Sequence, residues 1–178
     1  MSAVVPDPTC GVAHGAPSEE APERQLVAVF ASPVSAWLVR YGADLGYRTV
    51  LVEPDAARRA GAAAALVVAG FEELDDELAG GTADVVVTDH HRDELGVLLR
   101  DALARPVRWV GLMGNPRHEG PHVAALAALG VPPEEVARVH RPIGLDIGSR
   151  TPQEIAVSTL AGLLADRNGR SGGFAHAR

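Results

Sequence analysis

Arg141-Pro142-Ile143-Gly144-Leu145-Asp146-Ile147-Gly148-Ser149-Arg150-Thr151-Pro152-Gln153-Glu154-Ile155-Ala156 joins a glycine-punctuated loop to a tightly specified helix start. Thr151 is placed to cap the helix by accepting from the backbone N–H of Glu154, and the Glu154 carboxylate to accept from the N–H of Thr151. Pro152 takes the first helical position, where a missing N–H costs nothing. Gly144 and Gly148 allow positive φ and close backbone approach. A loop this constrained, ending at the positive end of a helix dipole, is either a rigid packing corner or part of an anion site.

Outward from this stretch, short apolar runs alternate with helical patterns. Strands are predicted at 26–31, 49–53, 66–69, 84–88 and 107–112, and 136–140 reads as a final strand or an extended lead into the loop. Helices are predicted over 34–45, in the alanine-rich stretch before Leu66, around 72–78, over 92–104 and 123–129, and from Pro152 to about Asp166. Continuous Val/Ile/Leu strands separated by helices of ~10–15 residues indicate a parallel sheet covered on both faces. The expected fold is α/β: a doubly wound, mostly parallel sheet with helices on both faces, Rossmann-like, in a single domain over 25–167. Residues 1–24, rich in proline and small residues without hydrophobic periodicity, read as a flexible N-terminal arm, and 168–178 as a flexible tail.

Composition narrows the chemistry. The 178 residues are 47% hydrophobic and 22% charged, with a net charge of −7 and no basic stripe, so no nucleic-acid partner is expected. All 16 basic residues are arginine, which rules out lysine Schiff bases and a P-loop lysine. Cys10 is the only cysteine. It leaves no intramolecular disulfide and no cysteine-rich metal site, reads as a passive thiol, and points to the cytoplasm. No run reaches the ~18 apolar residues of a membrane span, and no basic-then-apolar leader pattern is visible.

In a doubly wound sheet, ligands bind beyond the carboxyl ends of the strands, so the residues there are the site candidates. The first turn reads Phe30-Ala31-Ser32-Pro33-Val34-Ser35 and has no glycine. Ala31 and Ser32 are small, Pro33 can open the helix, and the close approach that glycine gives a pyrophosphate is compromised. Glu53 closes the second strand, where a carboxylate binds the ribose 2′-OH of an NAD-like ligand, or stands as a solvated carboxylate before a proline turn. Arg58 and Arg59 follow and can meet a 2′-phosphate instead. Thr88-Asp89-His90-His91 ends the fourth strand. His90 is the candidate acid–base group and Asp89 a ligand contact, or else Asp89 caps the next helix. Gly111-Leu112-Met113-Gly114-Asn115-Pro116-Arg117 ends the fifth, with Gly111, Met113, Gly114 and Asn115 offering backbone and Arg117 a partner for phosphate or carboxylate. His118-Glu119-Gly120-Pro121-His122 spells H-E-x-x-H, but Gly120 and Pro121 break the helix that would align two zinc ligands, and no metal site is expected. His140, before the signature loop, reads as structural.

The runs Val85-Val86-Val87-Thr88-Asp89-His90, Val110-Gly111-Leu112-Met113-Gly114 and Pro142 to Ala156 resemble the C-terminal Rossmann domain of the xanthine dehydrogenase accessory factor family (XdhC/CoxI), from about Leu26 to Asp166. That resemblance implies a protein that binds the molybdenum cofactor (molybdopterin), supports its sulfuration and delivers it to a molybdoenzyme of the xanthine or carbon monoxide dehydrogenase type. Two turns depart from the family's pattern: Ala31-Ser32-Pro33 stands for its usual Gly-x-Gly, and Asn115-Pro116-Arg117 follows Gly114 where basic residues follow Gly-Ser. Full-length members also carry an additional N-terminal domain. The alternative is a small oxidoreductase that binds NAD(P), with His90 near the nicotinamide, and a third reading is a scaffold domain without ligand. A homodimer through the Ala/Leu-rich terminal helix is a further expectation.

Overall fold

A computed structural model describes residues 12, 23–114 and 120–173. Six strands form one sheet: β1 (Arg24–Val29), β2 (Tyr47–Val52), β3 (Leu66–Val68), β4 (Ala83–Val87), β5 (Trp109–Leu112) and β6 (Val139–His140). Their order is β3-β2-β1-β4-β5-β6 and every pairing is parallel, the arrangement of a doubly wound dinucleotide-binding sheet. The strands are connected by helices α1 (Pro33–Asp44), α2 (Ala56–Arg59), α3 (Asp75–Leu78), α4 (Leu95–Leu103), α5 (Pro121–Ala128) and α6 (Pro133–Val136), with a 3-10 turn at Phe71–Leu74. Helix α7 (Pro152–Arg167) follows β6.

Side-chain alternation explains why the strands read as unbroken apolar runs. Val27, Val29, Val85, Val87, Val110 and Leu112 point to one face, where α4 contributes Leu95, Leu98, Leu99 and Ala102. Leu26 and Val86 point to the other, where α1 supplies Leu38 and α7 supplies Ala156, Leu160 and Leu163. Both faces are covered, so neither can be polar.

The fold class is as the sequence predicts, and some boundaries are not. Arg24, assigned to the arm, is the first residue of β1 and pairs with Tyr47. The alanine-rich stretch is helical only over four residues: Ala60 is already extended and Gly61 has a φ of 79°. The 136–140 segment splits. Pro133 at the first helical position starts α6, and β6 keeps two residues. The helix expected from 92 starts at Leu95.

The signature loop resolves into a packing corner. Gly144 and Gly148 have φ of 85° and 69°. A Cβ on Gly144 would lie 2.6 Å from the Ser158 Oγ, so only glycine lets the loop rest on α7. The Ser158 hydroxyl donates to the Leu145 carbonyl, and the Leu145 N–H donates to the Ser158 carbonyl. The capping box forms as predicted, with Glu154 accepting from the N–H groups of both Arg150 and Thr151. A carboxylate therefore already meets the positive end of the α7 dipole. Among the described residues no helix is long and apolar enough to cross a membrane.

Candidate functional site

The carboxyl ends of β1, β4, β5 and β6 adjoin, and the site begins at the β1 turn. Phe30 is buried and adopts φ 71°, a left-handed conformation rare outside glycine, which turns the chain where the sequence lacks one. Its ring lies 4.7 Å beneath the Arg92 guanidinium. Beyond it the backbone donors are engaged internally. The Ala31 N–H donates to the Glu53 carboxylate, the Ser32 N–H to the Ser35 hydroxyl, and the Ser35 N–H to the Ser32 hydroxyl. Pro33 has no N–H. The N-terminus of α1, which cradles pyrophosphate in dinucleotide-binding domains, is thus closed by its own capping box.

Glu53 ends up as a clasp. Its side chain is fully buried, and its two oxygens accept from the N–H groups of Ala31 and Asp55 and from both Nη atoms of Arg92. Hydrogen bonds donated to Glu94 and then Glu53 push the Arg92 guanidinium's pKa further up, which keeps the pair ionised. Arg59 donates to the carbonyls of Glu53 and Pro54 and braces the same bend. Arg58 instead borders a cavity of about 230 Å³ with Ala31, Ser32, Ser35, Val39 and Leu51.

At the end of β4 the Thr88 hydroxyl bridges the carbonyls of Val29 and Phe30 and accepts from Ser32. It stitches β4 to the β1 turn. Asp89 accepts from the His91 N–H two residues on, and α4 starts only at Leu95, so Asp89 shapes a turn rather than capping that helix. His90 packs against His91 with ring centroids 4.1 Å apart. Burial, with His91 and Arg141 nearby, pulls its pKa below the ordinary value, against Asp89 and a backbone hydrogen bond at Met113.

Beyond β5 the Met113 N–H continues the ladder to the Val87 carbonyl. Gly114 lies against the Arg141 side chain: a Cβ there would sit 2.6 Å from Nε and 2.7 Å from an Nη. Gly111, expected in the cofactor site, does not join it. It lies inside β5 under the Trp109 indole, where a Cβ would come within 2.0 Å of the ring. Trp109 in turn stacks on His140 at 5.0 Å and 9°, a structural role for that histidine. The expected contacts Asn115 and Arg117 lie outside the described residues.

The structure therefore brings Ala31, Ser32, Pro33, Glu53, Thr88, Asp89, His90, Met113 and Gly114 to adjoining strand ends, with Ala31, Ser32, Glu53, Thr88, Asp89 and the Met113 N–H engaged in internal hydrogen bonds. Three residues were missed in the sequence. Arg92 carried no signal, because its partner is 39 positions away. Arg141 followed the last apolar run and so stood at a strand's carboxyl end, which was a usable sign. His122 was set aside with the zinc pattern; it is 7% exposed at the start of α5.

Comparisons with known proteins agree with the fold. The chain is 36% identical over 90 residues to the uncharacterized protein YqeB of Escherichia coli (strain K12), a match covering 51% of this chain and 16% of that protein. It superposes on the crystal structure of a xanthine dehydrogenase from Bacillus halodurans with a TM-score of 0.65 at 22% identity, over 85% of this chain and 44% of that one. At that identity the likeness speaks for the fold, and the chain spans less than half the length of either protein. The sequence model of the XdhC Rossmann domain matches residues 26–163, and the chain belongs to that family.

Proposed function

We propose that this chain is an XdhC-like accessory module that holds a phosphorylated pterin, the molybdenum cofactor, for a molybdoenzyme of the xanthine or carbon monoxide dehydrogenase type. It works in the cytoplasm and turns over no substrate of its own. The observation that carries this reading is the closure of the dinucleotide features. Glu53 has four donors on its carboxylate and α1 is capped by Ser32 and Ser35, so neither the ribose nor the pyrophosphate of NAD meets open groups. The groups that can meet an anion lie instead at the ends of β4, β5 and β6, at His90, Gly114 and Arg141. The lack of a Cβ at Gly114 leaves its backbone open to close approach. The cofactor's molybdenum centre supplies redox chemistry to the enzyme that receives it; this chain's residues bind, orient and shield it.

One observation favours the NAD(P) alternative. The cavity beside the β1 turn carries Arg58 at its border, a cation placed for a 2′-phosphate. Titrating the purified protein with NAD, NADP and a molybdopterin preparation separates the two. Retention of pterin fluorescence after gel filtration, with neither nucleotide bound, is the expected outcome. Reduction of NAD(P) with a turned-over substrate would overturn the accessory reading.

A further inference from the structure

A second cavity lies at the edge of the sheet, where the signature loop rests on α7. It holds about 240 Å³, and Trp109, His140, Gly144, Gly162, Asp166 and Arg170 are among the residues that line it. Trp109 opens β5 opposite Asp84, and Asp166 belongs to the last turn of α7. The cavity therefore reaches toward the amino ends of the strands, away from His90 and Gly114. We propose that it binds a planar aromatic carboxylate of one or two fused rings, an inference that goes beyond the accessory reading and does not depend on it.

The ring of that ligand is called for by a fixed aromatic wall. The Trp109 indole rests on backbone that carries no side chain, since a Cβ on Gly111 would come within 2.0 Å of it. His140 stacks on the indole at 5.0 Å and 9°. It is exposed on β6, the last strand of the sheet. Two near-parallel rings thus border the open space, already held by backbone and by each other, and a third ring extends the stack at little cost in ordering. Part of the remaining wall is backbone as well: a Cβ on Gly162 would lie 3.3 Å from the Gly144 Cα, so loop and helix meet there without side chains between them. A volume of about 240 Å³ falls below the roughly 300–1,000 Å³ of pockets for drug-sized ligands, which admits one or two rings and excludes a dinucleotide.

The carboxylate follows from the charges. Asp166 pairs with Arg108, and Arg108 and Arg167 share Asp84, so two carboxylates balance two guanidiniums. Arg170 stands just past α7, where its backbone N–H donates to the Ala165 carbonyl. Among the described residues no ion pair or hydrogen bond engages its guanidinium, which leaves one uncompensated positive charge on the cavity wall. A guanidinium takes a carboxylate through two parallel N–H donors. One cation suits one negative charge; a phosphate dianion would leave a charge unmatched in a cavity that Asp166 also lines.

The test uses the full chain and 2-naphthoate as probe, with 2-naphthamide lacking the charge and cyclohexanecarboxylate lacking the aromatic ring. Trp37 and Trp109 are the two tryptophans, so NMR shows two indole N–H resonances, which Trp37→Phe assigns. Naphthoate is expected to shift the Trp109 indole and the His140 ring saturably and to leave Trp37 in place. Calorimetry is expected to give roughly threefold or greater losses of affinity for each control compound, for Arg170→Gln and for His140→Ala. A cation past the end of α7 also suits that helix's dipole, but this role would move stability and not affinity. An unmoved Trp109 would overturn the proposal, as would naphthamide or cyclohexanecarboxylate binding as tightly as naphthoate, or native affinity in either variant.

Discussion

At the scale of single residues, Glu53 shows how burial decides a role. A fully buried carboxylate persists only because an arginine and two backbone N–H groups meet it. Glu53→Gln keeps the shape but leaves Arg92 facing a neutral amide, with Glu94 as its remaining carboxylate. The expected cost is about 3 kcal/mol of folding stability, read from urea unfolding, and a loss under about 1 kcal/mol would show the clasp to be dispensable. His122 makes a prediction in pH. Its folded pKa is lowered, so the unfolded chain takes up the proton first. The stability it contributes is complete above its ordinary value of 6.5, drains as pH falls through that value, and levels off below the folded one. Unfolding free energies for His122→Gln across that interval should be flatter than those of the native chain.

At the scale of elements, α7 depends on its start. Thr151 accepts from the Glu154 N–H while Glu154 accepts from two N–H groups in return, and those backbone bonds hold the Glu154 carboxyl below its usual range. The cap is complete at neutral pH and weakens as acid protonates Glu154 through its lowered value. Thr151→Ala is expected to cost about 1 kcal/mol, measured by thermal or urea unfolding. A cost near zero would mean that α7 is held by its packing on α1 and the sheet alone. This capping box was legible because both partners lie within four residues of each other. The short α2 was not, because alanine-rich sequence favours helix wherever nothing stops it, and Gly61 stops it through a turn conformation that composition does not reveal.

Across the whole molecule, a charged knot fastens the amino-terminal side of the sheet to its last helix. Asp84 at the start of β4 is fully buried between Arg108, just before β5, and Arg167 in the last turn of α7. Arg108 also reaches Asp166, and Arg167 donates to the Thr82 carbonyl. Asp84→Ala removes the buried carboxylate that the two arginines share, leaving Arg108 to Asp166 and Arg167 to the Thr82 carbonyl, and is expected to cost about 3 kcal/mol. Arg48→Ala, which breaks the more exposed pair with Glu77, is expected to cost under about 1 kcal/mol. Equal losses in the two variants by urea unfolding would contradict the ranking by burial. The knot lies at the opposite ends of the strands from His90 and Gly114, so its loss should lower stability without changing pterin retention.

The sequence by itself determined the element types, the parallel two-sided sheet and the start of α7. Each is a short-range property: apolar periodicity, uninterrupted β-branched runs, and a cap whose partners are neighbours. It also placed Glu53, Thr88, His90 and Gly114 at strand ends. Only the tertiary structure decided what those groups do. The order β3-β2-β1-β4-β5-β6 puts β4 beside β1, so Thr88 closes on a turn 58 residues earlier and Arg92 on a carboxylate 39 residues away. The same order sets β6 beside β5 and lays Arg141 on Gly114. Hydrogen bonds and Coulomb attraction act through a few ångströms of space, and which residues come within that reach is fixed by strand order, not by spacing along the chain.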